Sequence, residues 1–151
     1  TGRLHRRAEP MGEGEFHLVV YAWIRGGDGR YLLTKRSPNK GYPNMWVCTG
    51  GSALAGDDSL TAALREVREE TGLRLDPMRG RRVASHKVTG RFEDVRLVGQ
   101  EVGLDELTLQ QGEVCGAMVR RADEILELRR EGRMAPTGSF ELAELLKLME
   151  G

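Results

Sequence analysis

Glu66, Glu69 and Glu70 crowd the end of one short segment, Leu64-Arg65-Glu66-Val67-Arg68-Glu69-Glu70-Thr71-Gly72-Leu73. A helix advances about 100° per residue, so carboxylates three and four positions apart fall on one arc. For a merely structural helix this placement is unfavourable. The carboxylates face the negative end of the helix dipole, and Glu66 with Glu70 is a like-charge i,i+4 pair, each effect costing roughly a few tenths of a kcal/mol. Arg65, four residues before Glu69, and Arg68 offset part of the cost. A divalent cation offsets more, because Mg²⁺ and Mn²⁺ prefer carboxylate and carbonyl oxygens.

The elements that must position these side chains can be read from the flanks. Asp57, Asp58 and Ser59 are short acceptors suited to a helix N-cap, and Gly72 is suited to the left-handed residue that ends a helix. Leu60, Ala63, Leu64 and Val67 are expected to form the packing face of the intervening helix, beside the glutamate arc. Before it, Gly50 and Gly51 allow close backbone approach to a ligand or metal.

The run Arg-Glu-Val-Arg-Glu-Glu taken alone also suits a solvated charged helix. Its frame is more specific: Gly51, five residues, an acid at Asp57, seven residues, then Arg65-Glu66-Val67-X-Glu69-Glu70-X-Gly72-Leu73. This resembles the signature of the Nudix hydrolase family, whose members include the MutT-like enzymes and cleave a diphosphate linked to another group. Asp57 stands where the family usually has Glu. The resemblance implies Glu66, Glu69 and Glu70 as ligands of Mg²⁺ or Mn²⁺, with Gly51 as a backbone contact near the metal. It implies Arg65 as the residue that orients a ligand. For Asp57 the expected role is a helix cap.

A looser resemblance runs through residues 16–119. The run from His17 to Ile24, the strand end at Thr34 to Arg36, Lys40, the spacing from Pro43 to Trp46 and the segment Glu113-Val114-Cys115 are similar to type I isopentenyl-diphosphate isomerase. That enzyme uses a cysteine just before the glycine at the Gly51 position. Here that position is Gly50 and Cys48 lies two residues further back. The three metal-binding glutamates are all present, which favours hydrolysis. The catalytic set is therefore read as Arg65, Glu69, Glu70 and Glu113, with Glu113, Glu69 or Glu70 as general base. The alternatives are an isomerase of isoprenoid diphosphates and a non-catalytic module that senses a nucleotide or binds a partner.

Around this centre, Lys35, Arg36 and Lys40 form a basic segment suited to contacts with a diphosphate. Tyr42 is a candidate for stacking on a nucleobase, as is Trp46. Tyr21, Trp23 and Phe92 are further aromatics, with Trp23 read as core. The implied partner is a small diphosphate. Many Nudix proteins dimerise, so a homodimer is compatible with the resemblance, though nothing in the sequence specifies an interface.

Composition fits a soluble, globular chain. In 151 residues, 39% hydrophobic and 30% charged, 23 basic residues balance 23 acidic ones. That gives no basic excess of the kind expected for a nucleic-acid or anionic-membrane binder. Cys48 and Cys115 have no metal-ligand spacing and are expected as free thiols in a reducing cytoplasm. No apolar run approaches the length of a membrane span.

The expected organisation is an arm over residues 1–15, in which His5, Arg6 and Arg7 could approach a phosphate, followed by one domain over residues 16–151. Strands are expected over 16–24, 31–35, 45–49, 73–75, 83–88, 92–102 and 113–119, and closing helices over 122–130 and 140–149. A turn at 26–29 joins the first two strands, and 101–111 reads as an irregular connection. The fold class is α+β, a mixed sheet sandwiched between helices.

Overall fold

The structure, a computed structural model, describes residues 17–150, and the expected arm with its His5, Arg6 and Arg7 lies outside them. Its centre is β1 (His17–Arg25), a run dense in β-branched and aromatic residues. Alternation along β1 sends Val20, Ala22 and Ile24 into one core, and Tyr21 and Trp23 into another. A strand buried on both faces needs layers on both sides. Those layers are α1 (Ser59–Thr71) on one face, and α2 (Ala122–Arg130) with α3 (Leu142–Glu150) on the other.

The remaining strands are β2 (Tyr31–Arg36), β3 (Trp46–Val47), β4 (Thr49–Ser52), β5 (Gly80–Val88), β6 (Arg91–Gly99) and β7 (Val114–Arg120). They form one mixed sheet of seven strands. β1 runs parallel to β6 along its whole length, from His17 opposite Arg91 to Arg25 opposite Gly99. Its pairing with β2, by contrast, is confined to Arg25 opposite Tyr31. Beyond that point the two strands part, and β3 and β4 fill the gap. β3 pairs with β2 through Thr34 and Lys35, while β4 pairs with β1 from Val19 to Ala22. The split leaves room for a cleft.

Three expectations are corrected. Residues 73–75 form no strand, because side chains satisfy the backbone there: Gln100 Nε2 donates to the Arg74 carbonyl at 3.2 Å, and Asp76 N–H donates to Gln100 Oε1 at 3.3 Å. The expected strand over 45–49 divides at Cys48 and runs on through Gly50 and Gly51 to Ser52. Phe140 precedes α3 and instead stacks on His86, with ring centroids 3.9 Å apart. The other strands and the last helix shift by one to three residues at their ends, and α2 keeps the expected bounds.

On α1 the packing stripe is rotated from the expected one. Ala62, Ala63 and Val67 are fully buried, whereas Leu60 and Leu64 are half-buried. Alanine lets the helix approach the glycine backbone of β4 closely. Because Ala62, Glu66 and Glu70 are successive i,i+4 neighbours, seating Ala62 against the sheet carries both glutamates toward β4.

Candidate active site

The split between β1 and β2 opens into a cleft of about 470 Å³. Glu66 and Glu70 enter from α1, Gly50 and Gly51 form its backbone edge, and Arg36, Lys40, Tyr42 and Glu113 stand around it. Val19 and Tyr21 line it from β1, and Ala135 and Pro136 from the segment between α2 and α3. Thus the cleft passes from the α1 layer through the sheet toward the layer of α2 and α3.

The helix that supplies the glutamates is held at both ends. Asp58 is its N-cap, its side chain accepting from Thr61 N–H at 2.8 Å. At the other end Gly72 takes φ 80° and donates to the Arg68 carbonyl at 2.9 Å. The cap is therefore Asp58 alone, and the cap role expected for Asp57 is corrected. Asp57 pairs with Arg65 instead, and accepts from Leu54 N–H at 3.3 Å. From that anchor the Arg65 guanidinium reaches the Ser52 carbonyl at 3.2 Å and Glu66 Oε1 at 3.5 Å. A chain of contacts thus runs from the loop before α1, through Arg65, to the Glu66 carboxylate.

The two glutamates in the cleft are electrostatically strained. Burial raises the pKa of Glu66, the neighbouring charge of Glu69 raises it further, and Arg65 offsets part of this. Burial also pushes Glu70 up to about 8, with the Glu66 charge adding to it and the Gly50 amide and Lys40 opposing it. Crowded, half-buried carboxylates beside a glycine backbone form an all-oxygen donor set, the kind that hard divalent cations take. The donor chemistry therefore fits Mg²⁺ or Mn²⁺. Among the described residues no three acidic, His or Cys side chains are grouped so as to hold a metal ion by themselves, so backbone oxygen would have to complete the set.

Across the cleft, Lys40 Nζ lies 2.9 Å from Glu113 Oε1. Arg36 donates through Nε to the Gly41 carbonyl, which shapes the loop carrying Lys40 and Tyr42. In that loop Tyr42 and Asn44 have φ of 51° and 60°, a conformation uncommon for non-glycine residues, and Tyr42 is 55% exposed. Local strain holds an aromatic ring at the mouth of the cleft.

Three of the residues expected at the site stand outside this lining. Lys35 alternates away from Thr34 and Arg36 on β2, and its ammonium lies over the Trp46 ring, 5.9 Å from the centroid. Glu69 is exposed on the outer side of α1 beside Leu64, Arg65 and Arg68. The i+3 and i+4 positions diverge by about 100° around a helix, and the cleft takes the i+4 direction. Arg65 acts on the cleft from behind, through Glu66 and Ser52. His17 opens β1 and is not part of the lining either.

Sequence reasoning missed Ala135, Pro136 and the group that holds them. Cys48 lines the cleft, but burial and the nearby Glu70 raise its thiol well above the ordinary range. A thiol so held is a poor proton donor, which counts against the isomerase reading.

The sequence profile of the NUDIX domain matches residues 15–137. The chain belongs to the Nudix hydrolase family. An uncharacterized Nudix hydrolase from Listeria monocytogenes is 38% identical over 150 residues, spanning 98% of this chain and 88% of that protein. A Deinococcus radiodurans protein of known crystal structure has a TM-score of 0.73 at 25% identity, covering 95% of this chain and 88% of its own. The NUDIX domain of Shewanella oneidensis NrtR, solved with ADP ribose, shares the fold with a TM-score of 0.66 at 15% identity over 90% of this chain and 87% of that one. The Nudix hydrolase described here is thus an enzyme of the pyrophosphohydrolase type. Among its described residues no helix is long and apolar enough to cross a membrane.

Proposed function

We propose that this Nudix hydrolase cleaves the diphosphate of a nucleoside diphosphate linked to another group, by divalent-metal-assisted attack of water on phosphorus. The observation that carries the reading is the placement of Glu66 and Glu70 against the Gly50–Gly51 backbone, across one cleft from Arg36, Lys40 and Glu113. In this reading Glu66 and Glu70, with the Gly51 backbone, hold Mg²⁺ or Mn²⁺, and Glu69 stands next to Glu66 outside the lining. When bound, the metal neutralises charge on the diphosphate oxygens and makes water acidic enough to attack.

The chain's own residues supply the rest. Lys40 and Arg36 attract the phosphates, and Glu113 accepts the proton of the attacking water. Arg65, anchored by Asp57, keeps the Glu66 carboxylate oriented. Tyr42 stacks on the base of the nucleoside at the mouth of the cleft. The ADP ribose bound by the Shewanella domain is a compound of this class. Two free cysteines, one of them exposed, suit a reducing cytoplasm.

A panel of nucleoside triphosphates, nucleoside diphosphate sugars, dinucleotides and isoprenoid diphosphates, assayed with Mg²⁺ and Mn²⁺, tests the reading. Glu66→Gln and Glu70→Gln should each lower turnover of the best substrate by about a hundredfold or more with the circular dichroism spectrum retained. Full activity in both variants would remove these glutamates from the mechanism.

A further inference from the structure

Beside the wall formed by Ala135 and Pro136 lies a second hollow of about 230 Å³, lined also by Met134, Thr137, Phe140 and Leu142 and by the ion pair of Arg129 with Glu141. Ala135, itself buried, and Pro136 therefore separate the cleft from the hollow. Hydrogen bonds at both ends hold this wall. Its leading end is tied by backbone pairing: Trp46 N–H donates to the Arg133 carbonyl and Ala135 N–H to the Trp46 carbonyl, both at 2.8 Å.

The trailing end is tied chiefly by one buried carboxylate, with Ser139 Oγ also 3.0 Å from His86 Nδ1 and Phe140 stacked on that ring. Glu93 on β6 is fully buried, and its Oε1 accepts from Ser139 N–H at 3.0 Å and from Ser139 Oγ at 2.5 Å. Arg91 Nη2 lies 2.6 Å from Glu93 Oε2. The segment passes so near this carboxylate that residue 138 has no room for a Cβ between Glu93 and the Tyr21 hydroxyl, and Gly138 takes φ 60°. Burying a carboxylate is unfavourable unless it is well partnered, and here the partners lie on Arg91 and on the segment that forms the wall.

We propose that Glu93 is a positioning residue for substrate choice: by latching Ser139 it holds the Ala135–Pro136 wall forward and limits the size of the group linked to the diphosphate. This rests on the cleft being the substrate site. With the latch loosened, the wall can fall back into the hollow and the cleft widens. Glu66 and Glu70 stand on the α1 side of the sheet and keep their places. The latch therefore governs fit without touching the reacting atoms.

Two loosened variants and one control test this. Ser139→Ala removes the Oγ contacts with Glu93 and His86 and keeps the backbone bond, while the control Ser139→Thr keeps the hydroxyl. Glu93→Gln keeps the shape and gives up the ion pair with Arg91. In Ser139→Ala and Glu93→Gln, amide hydrogen exchange across residues 135–140 should quicken. The ratio of kcat/KM for a dinucleotide substrate to that for a nucleoside triphosphate should rise about fivefold or more. Mn²⁺ affinity measured by titration should stay within about twofold, and Ser139→Thr should resemble the parent.

Unchanged exchange in both loosened variants would overturn the latch. Faster exchange with an unchanged substrate ratio would overturn its role in selection. If the parent enzyme turned over none of the diphosphates in the panel, the hydrolase reading would fail by itself, and the exchange measurement would still decide the latch.

Discussion

Gly51 and Glu66 approach each other so closely that a Cβ built on Gly51 would stand 2.6 Å from the Glu66 carboxyl carbon. The glycine is needed there because the helix glutamate occupies the space that a side chain would fill. Gly51→Ala must therefore displace Glu66. Turnover should fall by about tenfold to a hundredfold and Mn²⁺ affinity with it, while the thermal midpoint moves little. A variant with parental Mn²⁺ affinity and kcat would show that Glu66 does not need its present position.

Asp57 and Asp58 are adjacent but do different work. Asp58 caps α1, so Asp58→Ala should lower the denaturation midpoint with catalysis near normal. Asp57 anchors Arg65, so Asp57→Ala should lower kcat by about tenfold with a smaller loss of stability. Denaturant melts and steady-state kinetics on both variants make the comparison, and equal effects on kcat would contradict the division.

The raised pKa of Glu70, about 8 against an ordinary 4.5, gives the metal-free protein a defined pH dependence. Below about 4.5 the carboxyl is protonated in both the folded and unfolded chain. Between 4.5 and 8 the unfolded chain has released that proton and the folded one still holds it, so stability declines as pH rises and levels off above 8. Thermal midpoints in chelator from pH 5 to 8.5 should show this decline in the parent and a flatter profile in Glu70→Gln. Coincident profiles would refute the assignment.

Lys40 and Tyr42 share the loop at the mouth of the cleft and should separate kinetically. Lys40→Met removes a cation that meets phosphate, so KM should rise about tenfold for every diphosphate substrate and the salt dependence of binding should weaken. Tyr42→Ala should raise KM for nucleoside substrates and leave inorganic or sugar diphosphates unaffected. An unchanged KM for nucleosides in Tyr42→Ala would remove the stacking role.

Isomerase chemistry makes a different demand, since it exchanges carbon-bound hydrogen. Incubation with isopentenyl diphosphate in D₂O should leave the carbon skeleton free of deuterium, and Cys48→Ser should hydrolyse its diphosphate substrate at a rate near the parent's. Incorporated deuterium, read by mass spectrometry, would restore the isomerase reading.

The sequence by itself determined the local features. Asp58 and Gly72 bound a helix because capping needs only a few neighbouring residues, and the double-sided burial of β1 is written in its unbroken apolar run. The Nudix frame is likewise local, since carboxylates spaced along one helix are read from spacing. Only the tertiary structure decided which side of that helix meets the cleft. Burial of Ala62, Ala63 and Val67 turned Glu66 and Glu70 toward the cleft and left Glu69 on the outer side of α1. Strand alternation, fixed only once β2 found its partners, turned Lys35 onto Trp46 and Arg36 toward the cleft. Glu93, Ser139 and the wall of Ala135 and Pro136 were not legible at all. They are joined across more than forty residues by a buried carboxylate, and no short-range pattern records a contact that exists only after the sheet has formed.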